Sequence, residues 1–292
     1  MYENSLNIAS WNVNGWANNN CELRECIIQK SDIDVLCVCE THLIGGNVIN
    51  VEKYKWYGNN RVNQNIRSPK GSGGVGILVR KSIFENYNVS VCENNWDGIF
   101  GLTFKSNYNN INIGIFVCYL PPQNSIWGKE SEALFAHLIN MLYNTSYLDC
   151  IVICGDFNAR IGNLQDFVSG IDNLPNRNVI DQIKAGHGES FIEFVKDAKL
   201  CILNGRITPE FDDYTCVSGK GASIVDYIMT RHNTLHNCKK SEVKLVSDLT
   251  NQFNLYKMIS GKSKPPDHSL LMLTLCLKNG LEVDPQRNTN NM

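Results

Sequence analysis

Short apolar runs, each ended abruptly by polar residues, recur along the chain. Residues 6–10, 35–40, 75–80, 99–104, 111–119, 150–154, 214–217, 224–229, 242–246 and 269–277 are such runs, many of them β-branched and bounded by Gly, Pro, Asn or Asp. That pattern predicts strands. Three other stretches repeat apolar residues at helical spacing: 22–31, 130–143 (Leu134, Leu138, Met141, Leu142) and 190–200 (Phe191, Phe194, Val195, Ala198). Ser190 followed by Glu193 fits a capping box. About ten strands exceed one comfortable sheet. The expectation is therefore an α/β fold in the broad α+β sense, a four-layered sandwich of two mainly antiparallel β-sheets packed together and flanked by helices.

The chain has 292 residues and shows no repeat or linker, so residues 1–280 are expected to form one domain. Residues 281–292 are polar and read as a frayed tail. Twelve cysteines are present, several inside apolar runs, where free cysteine behaves as a small buried hydrophobe. Residues 1–10 lack the apolar stretch of a secretory leader, and no run approaches the ~18 residues of a membrane span. An intracellular protein, nuclear if it acts on DNA, is expected. Nothing in the pattern fixes an oligomeric state. The net charge of −2 excludes a strongly basic nucleic-acid binder. Yet Lys53, Lys55, Arg61, Arg67, Lys70, Arg80 and Lys81 fall in a window without acids that also carries Tyr54, Trp56 and Tyr57. Cations beside aromatics suit a polyanion with stackable bases; a solvated loop is the plainer reading.

The informative residues are polar groups attached to apolar strands. Glu40 ends an almost wholly apolar run, and Asp156 and Asn158 follow Ile151–Cys154 within Gly155-Asp156-Phe157-Asn158. Asp226 sits inside an apolar run, Asp267-His268 precede another, and Asn12 and Asn14 follow the first strand. Alone, each has a bland explanation as a turn or a solvated strand end. Together they present hard oxygen ligands that fit Mg²⁺ or Mn²⁺ rather than a thiolate zinc site. Gly71-Ser72-Gly73-Gly74-Val75-Gly76 has the look of a phosphate cradle, but no Lys-Ser/Thr and no helix follow, so it reads as a turn.

Five blocks occur in order: Ser10-Trp11-Asn12-Val13-Asn14-Gly15, Cys39-Glu40-Thr41-His42, Gly155-Asp156-Phe157-Asn158, Ser223-Ile224-Val225-Asp226-Tyr227 and Asp267-His268-Ser269. In this the chain resembles the endonuclease/exonuclease/phosphatase superfamily, and within it the apurinic-like endonuclease domain of LINE-type (non-LTR) retrotransposons. Gly73–Val79, Tyr119-Leu120-Pro121-Pro122, Leu203-Asn204-Gly205-Arg206 and Tyr214-Thr215 match further blocks. Two departures stand out: Asn14 where many members have Asp, and Pro266 where many have Ser.

The resemblance implies a metal-dependent phosphodiesterase, a DNA endonuclease nicking one strand by in-line attack of water. It implies metal ligation by Glu40, Asn12 and Asp267, with Mg²⁺ or Mn²⁺ as cofactor. Asp156 would orient or deprotonate water, Asn158 would position Asp156 or a phosphate oxygen, and Tyr119 would donate to the phosphate. His268 would donate as a cation supported by Asp226. Asn14, Thr215, Asn158 and His268 are expected to touch substrate, with Trp127 and Lys129 as further contacts. DNA is the expected partner, bound weakly by this chain alone and more weakly as salt rises; no membrane partner is expected. Abasic-site repair, a non-nucleic phosphoester substrate and an inactive nucleic-acid-binding module are the competing readings.

Overall fold

Every apolar run expected to be a strand overlaps one in the computed structural model, which describes residues 5–17, 20–61, 71–93, 96–126, 128–259 and 266–277. The first half of the chain runs β1 (Ser5–Asn12), α1 (Cys21–Lys30), β2 (Val35–Cys39), β3 (Tyr54–Asn59), β4 (Val75–Arg80), α2 (Ile83–Asn86), β5 (Tyr87–Val91), β6 (Ile99–Ser106), β7 (Asn112–Tyr119) and α3 (Ser131–Asn144). The second runs β8 (Cys150–Asp156), β9 (Ala159–Ile161), β10 (Lys184–Gly186), α4 (Gly188–Asp197), β11 (Leu200–Ile202), β12 (Cys216–Ser218), β13 (Gly221–Ser223), β14 (Asp226–Arg231), β15 (Cys238–Lys244), α5 (Val246–Gln252) and β16 (Leu270–Cys276).

Two six-stranded sheets form, in the orders β15-β16-β1-β2-β4-β3 and β11-β14-β8-β7-β6-β5. Each holds one parallel pair at its centre, β1–β2 in the first and β7–β8 in the second; the other pairings are antiparallel. β2 is buried along its whole length, which is why its sequence is apolar without alternation. Between the sheets, Ile8, Cys37, Cys39 and Ile77 pack with Ile115, Val117, Cys154 and Ile228. α1 and α5 cover the first sheet through Leu23, Ile27, Ile28, Val246 and Leu249, and α3 and α4 cover the second through Leu134, Leu138, Phe191 and Val195. The expected four layers are therefore present. All twelve cysteines are free, eight of them buried.

Some local expectations need correction. β15 begins four residues before the expected 242–246 run, and that run's last residue, Val246, opens α5. An edge strand rich in Lys carries little apolar signal. No capping box starts α4: His187 occupies the cap position, and the Ser190 hydroxyl donates to the His187 carbonyl instead. Of the cation-rich window, Lys55 lies in β3 and Arg80 in β4. Lys55 lies over the rings of Tyr57 and Phe84, and Arg80 lies over Tyr54 and pairs with Asp32 and Asp34. These aromatics are occupied from within rather than free for bases. Arg67, Lys70, Trp127 and the 281–292 tail lie outside the described residues.

Candidate active site

The registers of the two sheets bring the polar strand ends together. Tyr119 on β7 and Asp226 on β14 both lie opposite Asp156 on β8, so the three stand in a row across adjacent strands. Asn12 ends β1 and Glu40 follows β2 at the same edge of the first sheet. The carboxyl ends of parallel strands favour such sites. Local backbone is held in uncommon conformations here. Asn14, Glu40, His42 and Asn158 all have positive φ (45–53°), four of the seven such non-glycine residues described. Gly155 has φ 140°, and a Cβ there would collide with the Cys118 carbonyl oxygen, so β8 can reach β7 at this level only with glycine. The glycine-rich segment is a turn entering β4. Thr41 and His42 donate their N–H groups to the Gly74 and Gly73 carbonyls, which fixes the backbone beyond Glu40.

Asp156 is 1% exposed and fully engaged. The Asn12 Nδ2 donates to its Oδ2 at 2.8 Å, the Asn158 backbone N–H to its Oδ1 at 2.9 Å, and the Asn158 Nδ2 to Oδ2 at 3.3 Å. Asn158 also donates to the Leu120 carbonyl at 2.9 Å. Burial, reinforced by the Asp226 carboxylate, pushes Asp156 up to about 8. His268 Nδ1 meets Asp226 Oδ2 at 2.9 Å and Oδ1 at 3.2 Å. Burial alone would lower the His268 pKa; the Asp226 carboxylate outweighs it and raises the ring well above its ordinary value. Burial likewise opposes ionisation of Glu40, but hydrogen bonds from His42 and Tyr119 hold it below the usual carboxylate range. Tyr119 is pushed well above its ordinary value by burial and the neighbouring Glu40 and Asp156. It is a phenol, not a phenolate, at neutral pH.

The donor set suits a divalent cation. Three carboxylates, Glu40, Asp156 and Asp226, act on one another at one rim, and Asp267 adjoins His268 in the chain. The Asp267 carboxylate has no hydrogen-bond or ion-pair partner among the described residues. Asp156, Asp226 and His268 offer ligand atoms within 4.8 Å of one another. That trio differs from the expected ligands Glu40, Asn12 and Asp267. Because His268 is bound to Asp226 and held cationic, its Nδ1 is unavailable to a metal, which leaves the oxygen donors as the fitting set.

Asn14 is exposed at the rim, and its backbone N–H donates to Asn12 Oδ1 at 3.0 Å. Thr215 corrects the expectation of a substrate contact. It is 0% exposed, and its hydroxyl accepts the Val225 and Asp226 N–H groups at 3.0 and 3.1 Å. It holds Asp226 rather than a phosphate. The Asp267 backbone is tied to β12, its carbonyl accepting the Val217 N–H at 2.7 Å. Sequence reasoning misses the part played by three further residues. His42 lies 3.6 Å from Glu40. The Trp11 indole donates to the His268 carbonyl at 3.0 Å. The Asn204 amide grips β14 on both sides of the reacting edge, donating to Asp226 O at 3.1 Å and accepting from Ile228 N at 3.2 Å. All three stand inside the motif blocks, and only their partners lack a sequence signal.

A model of the "Endonuclease/Exonuclease/phosphatase family" matches residues 9–248. The chain belongs to this family. Among curated proteins, the RNA-directed DNA polymerase from mobile element jockey of Drosophila melanogaster is 22% identical over 226 residues, 77% of this chain. The chain spans only 22% of that protein's length. Solved structures share the fold. The 3'-5' exonuclease of Neisseria meningitidis superposes with TM-score 0.63 at 15% identity, covering 93% of this chain and 100% of that one. The AP endonuclease of Leishmania major gives 0.68 at 10%, covering 94% and 89%. The endonuclease domain of TRAS1, a telomere-specific non-LTR retrotransposon, gives 0.60 at 13%, covering 94% and 99%. Members of this family are hydrolytic nucleases and phosphatases.

Proposed function

We propose that this chain is a Mg²⁺- or Mn²⁺-dependent DNA endonuclease that nicks one strand by in-line attack of water. One observation carries the reading. Asp156, gripped by Asn12 and Asn158, faces the Asp226–His268 pair at a single rim built from both sheets. Asp156 accepts the proton of the attacking water, and the two asparagines fix which oxygen points at it. His268, held cationic by Asp226 through Nδ1, donates from its other ring nitrogen to a non-bridging phosphate oxygen. The Tyr119 hydroxyl, hydrogen-bonded to Glu40 in this structure, would redirect its single proton to the same phosphate as charge builds there. Glu40, Asn12 and Asp267 would hold the metal, which supplies positive charge beside the phosphate and the leaving oxygen when bound.

DNA as substrate is supported by the likeness to retrotransposon and abasic-site endonucleases and by Arg61 beside Tyr119. Supercoiled plasmid incubated with Mg²⁺ and with chelator tests the proposal. Asp156→Ala, Glu40→Ala and His268→Ala should each abolish nicking while keeping the parent's circular-dichroism spectrum. Undiminished cleavage by all three sinks the assignment. An abasic duplex and a soluble phosphoester run alongside; turnover of the small ester alone would overturn the DNA reading.

A further inference from the structure

On the far side of Tyr119 from Asp226 the surface opens into a cavity of about 240 Å³ bounded by Arg61, Trp96, Asp97, Tyr119, Glu130 and Leu134. That is room for roughly eight waters at ~30 Å³ each, enough for one flat heterocycle with some solvent. Nothing in the chemistry assigned above uses it. Its walls differ in kind. The Trp96 indole is half-buried and braced from α3 by His137, with ring centroids 5.4 Å apart and planes 31° apart. Leu134 is buried and apolar. Asp97 and Glu130 are exposed acids, and Arg61 is a cation.

We propose that this cavity receives one unstacked nucleobase of the substrate strand beside the cleaved phosphate, and that it favours bases carrying an exocyclic amine. The inference rests on the DNA reading above. Tyr119 belongs both to the cavity and to the reacting rim, so an occupant sits within about a nucleotide of the bond being broken. A braced indole with an aliphatic neighbour suits the face of a base, which any π-system offers. The two carboxylates exclude the sugar-phosphate as occupant, because phosphate oxygens would meet like charge. They accept hydrogen bonds, so the edge they reward is one that donates. Cytosine N4, adenine N6 and guanine N2 provide such an edge, and thymine provides no amine. Arg61 faces the opposite need, a phosphate flanking the base.

Two measurements test the cavity separately from the catalysis. The first titrates a single-stranded oligonucleotide containing 2-aminopurine, an amine-bearing fluorescent base, and reads its quenching. Wild type and Trp96→Phe should quench it, and Trp96→Ala should bind it roughly 5- to 150-fold more weakly, the loss expected for one stacked base. Equal quenching by Trp96→Ala overturns the proposal. The second maps nick positions in plasmid by sequencing. Wild type should cut with cytosine, adenine or guanine over-represented at one fixed nucleotide beside the nick. The double variant Asp97→Asn with Glu130→Gln should flatten that bias. A wild-type nick map without base bias, or one unchanged in the double variant, refutes the amine preference. Failure of wild type to nick at all counts against the endonuclease reading, and the quenching result still decides whether the cavity takes a base.

Discussion

Replacing Asp226 by asparagine (Asp226→Asn) isolates the electrostatic support of His268. The carboxylate is 2% exposed and touches the ring at 2.9 and 3.2 Å. At about 3 Å and an effective dielectric of ~20, two unit charges attract by roughly 5–6 kcal/mol before solvation is subtracted. One pKa unit corresponds to about 1.4 kcal/mol, so losing a third of that attraction lowers the ring by more than one unit. Burial already disfavours the cation. The Asp226→Asn variant should therefore lose the imidazolium at a lower pH than wild type does, and once the ring is neutral, with its Nδ1 proton on the amide oxygen, the other nitrogen would present a lone pair to the phosphate. Loss of one such donor typically lowers kcat by about 10²–10³. Single-turnover nicking with Mg²⁺ between about pH 5.5 and pH 8.5 reads both effects, since the variant's deficit should widen as pH rises. Stability follows the same sign. A raised His pKa contributes fully below its unfolded value of about 6.5 and is lost as pH climbs through the folded value, so the wild-type advantage in Tm should shrink at alkaline pH. A variant rate near wild type at about pH 8, or a pH-independent deficit, would refute the cationic role of His268.

Cation binding should compete with the Asp156 proton. Because Asp156 is pushed up to about 8 without metal, Mg²⁺ affinity should rise with pH up to that value with release of protons; calorimetry in buffers of different ionisation enthalpy would show no proton release if this is wrong. Asn204→Ala removes two hydrogen bonds from β14 and should lower kcat with little change in KM, and a change in KM alone would contradict its positioning role. The wholly buried Arg206 side chain binds Asp166 at 2.9 and 2.7 Å; Asp166→Ala strands that cation and should cost about 3–5 kcal/mol, read as a Tm fall of roughly 5–8 °C. Gly155→Ala should fail to fold to a soluble state, because its Cβ has no space against Cys118; a soluble variant with wild-type Tm would disprove that close approach.

Much of this architecture is legible because its central strands are buried on both faces. β1, β2, β4, β7, β8 and β16 read as apolar runs for that reason, and a polar residue at the end of such a run has few explanations. Glu40, Asp156, Asp226 and His268 stand out on those grounds. Edge elements do not. β3 looks like a cation-rich loop and β5 leaves no trace in the pattern, because a half-solvated strand carries little apolar signal. Thr215 shows the limit more sharply. Its hydroxyl beside a phosphodiesterase motif suggests a phosphate contact, but the partner is a pair of backbone N–H groups ten and eleven residues away, which no side-chain pattern encodes. Asn204 is the mirror case, an amide standing in for a rung of backbone ladder where β11 ends.

The reacting rim is shared between two sheets that meet at that level through side chains, the Asn12–Asp156 hydrogen bond among them. Catalysis is then a gauge of how the two halves of the sandwich are aligned. A slippage of an ångström between them would leave every strand paired and every helix in place while separating Asp156 from its guide. Gentle heating or low denaturant should silence the chain before any spectroscopic sign of unfolding, and a ligand that bridges the rim would fasten the halves together.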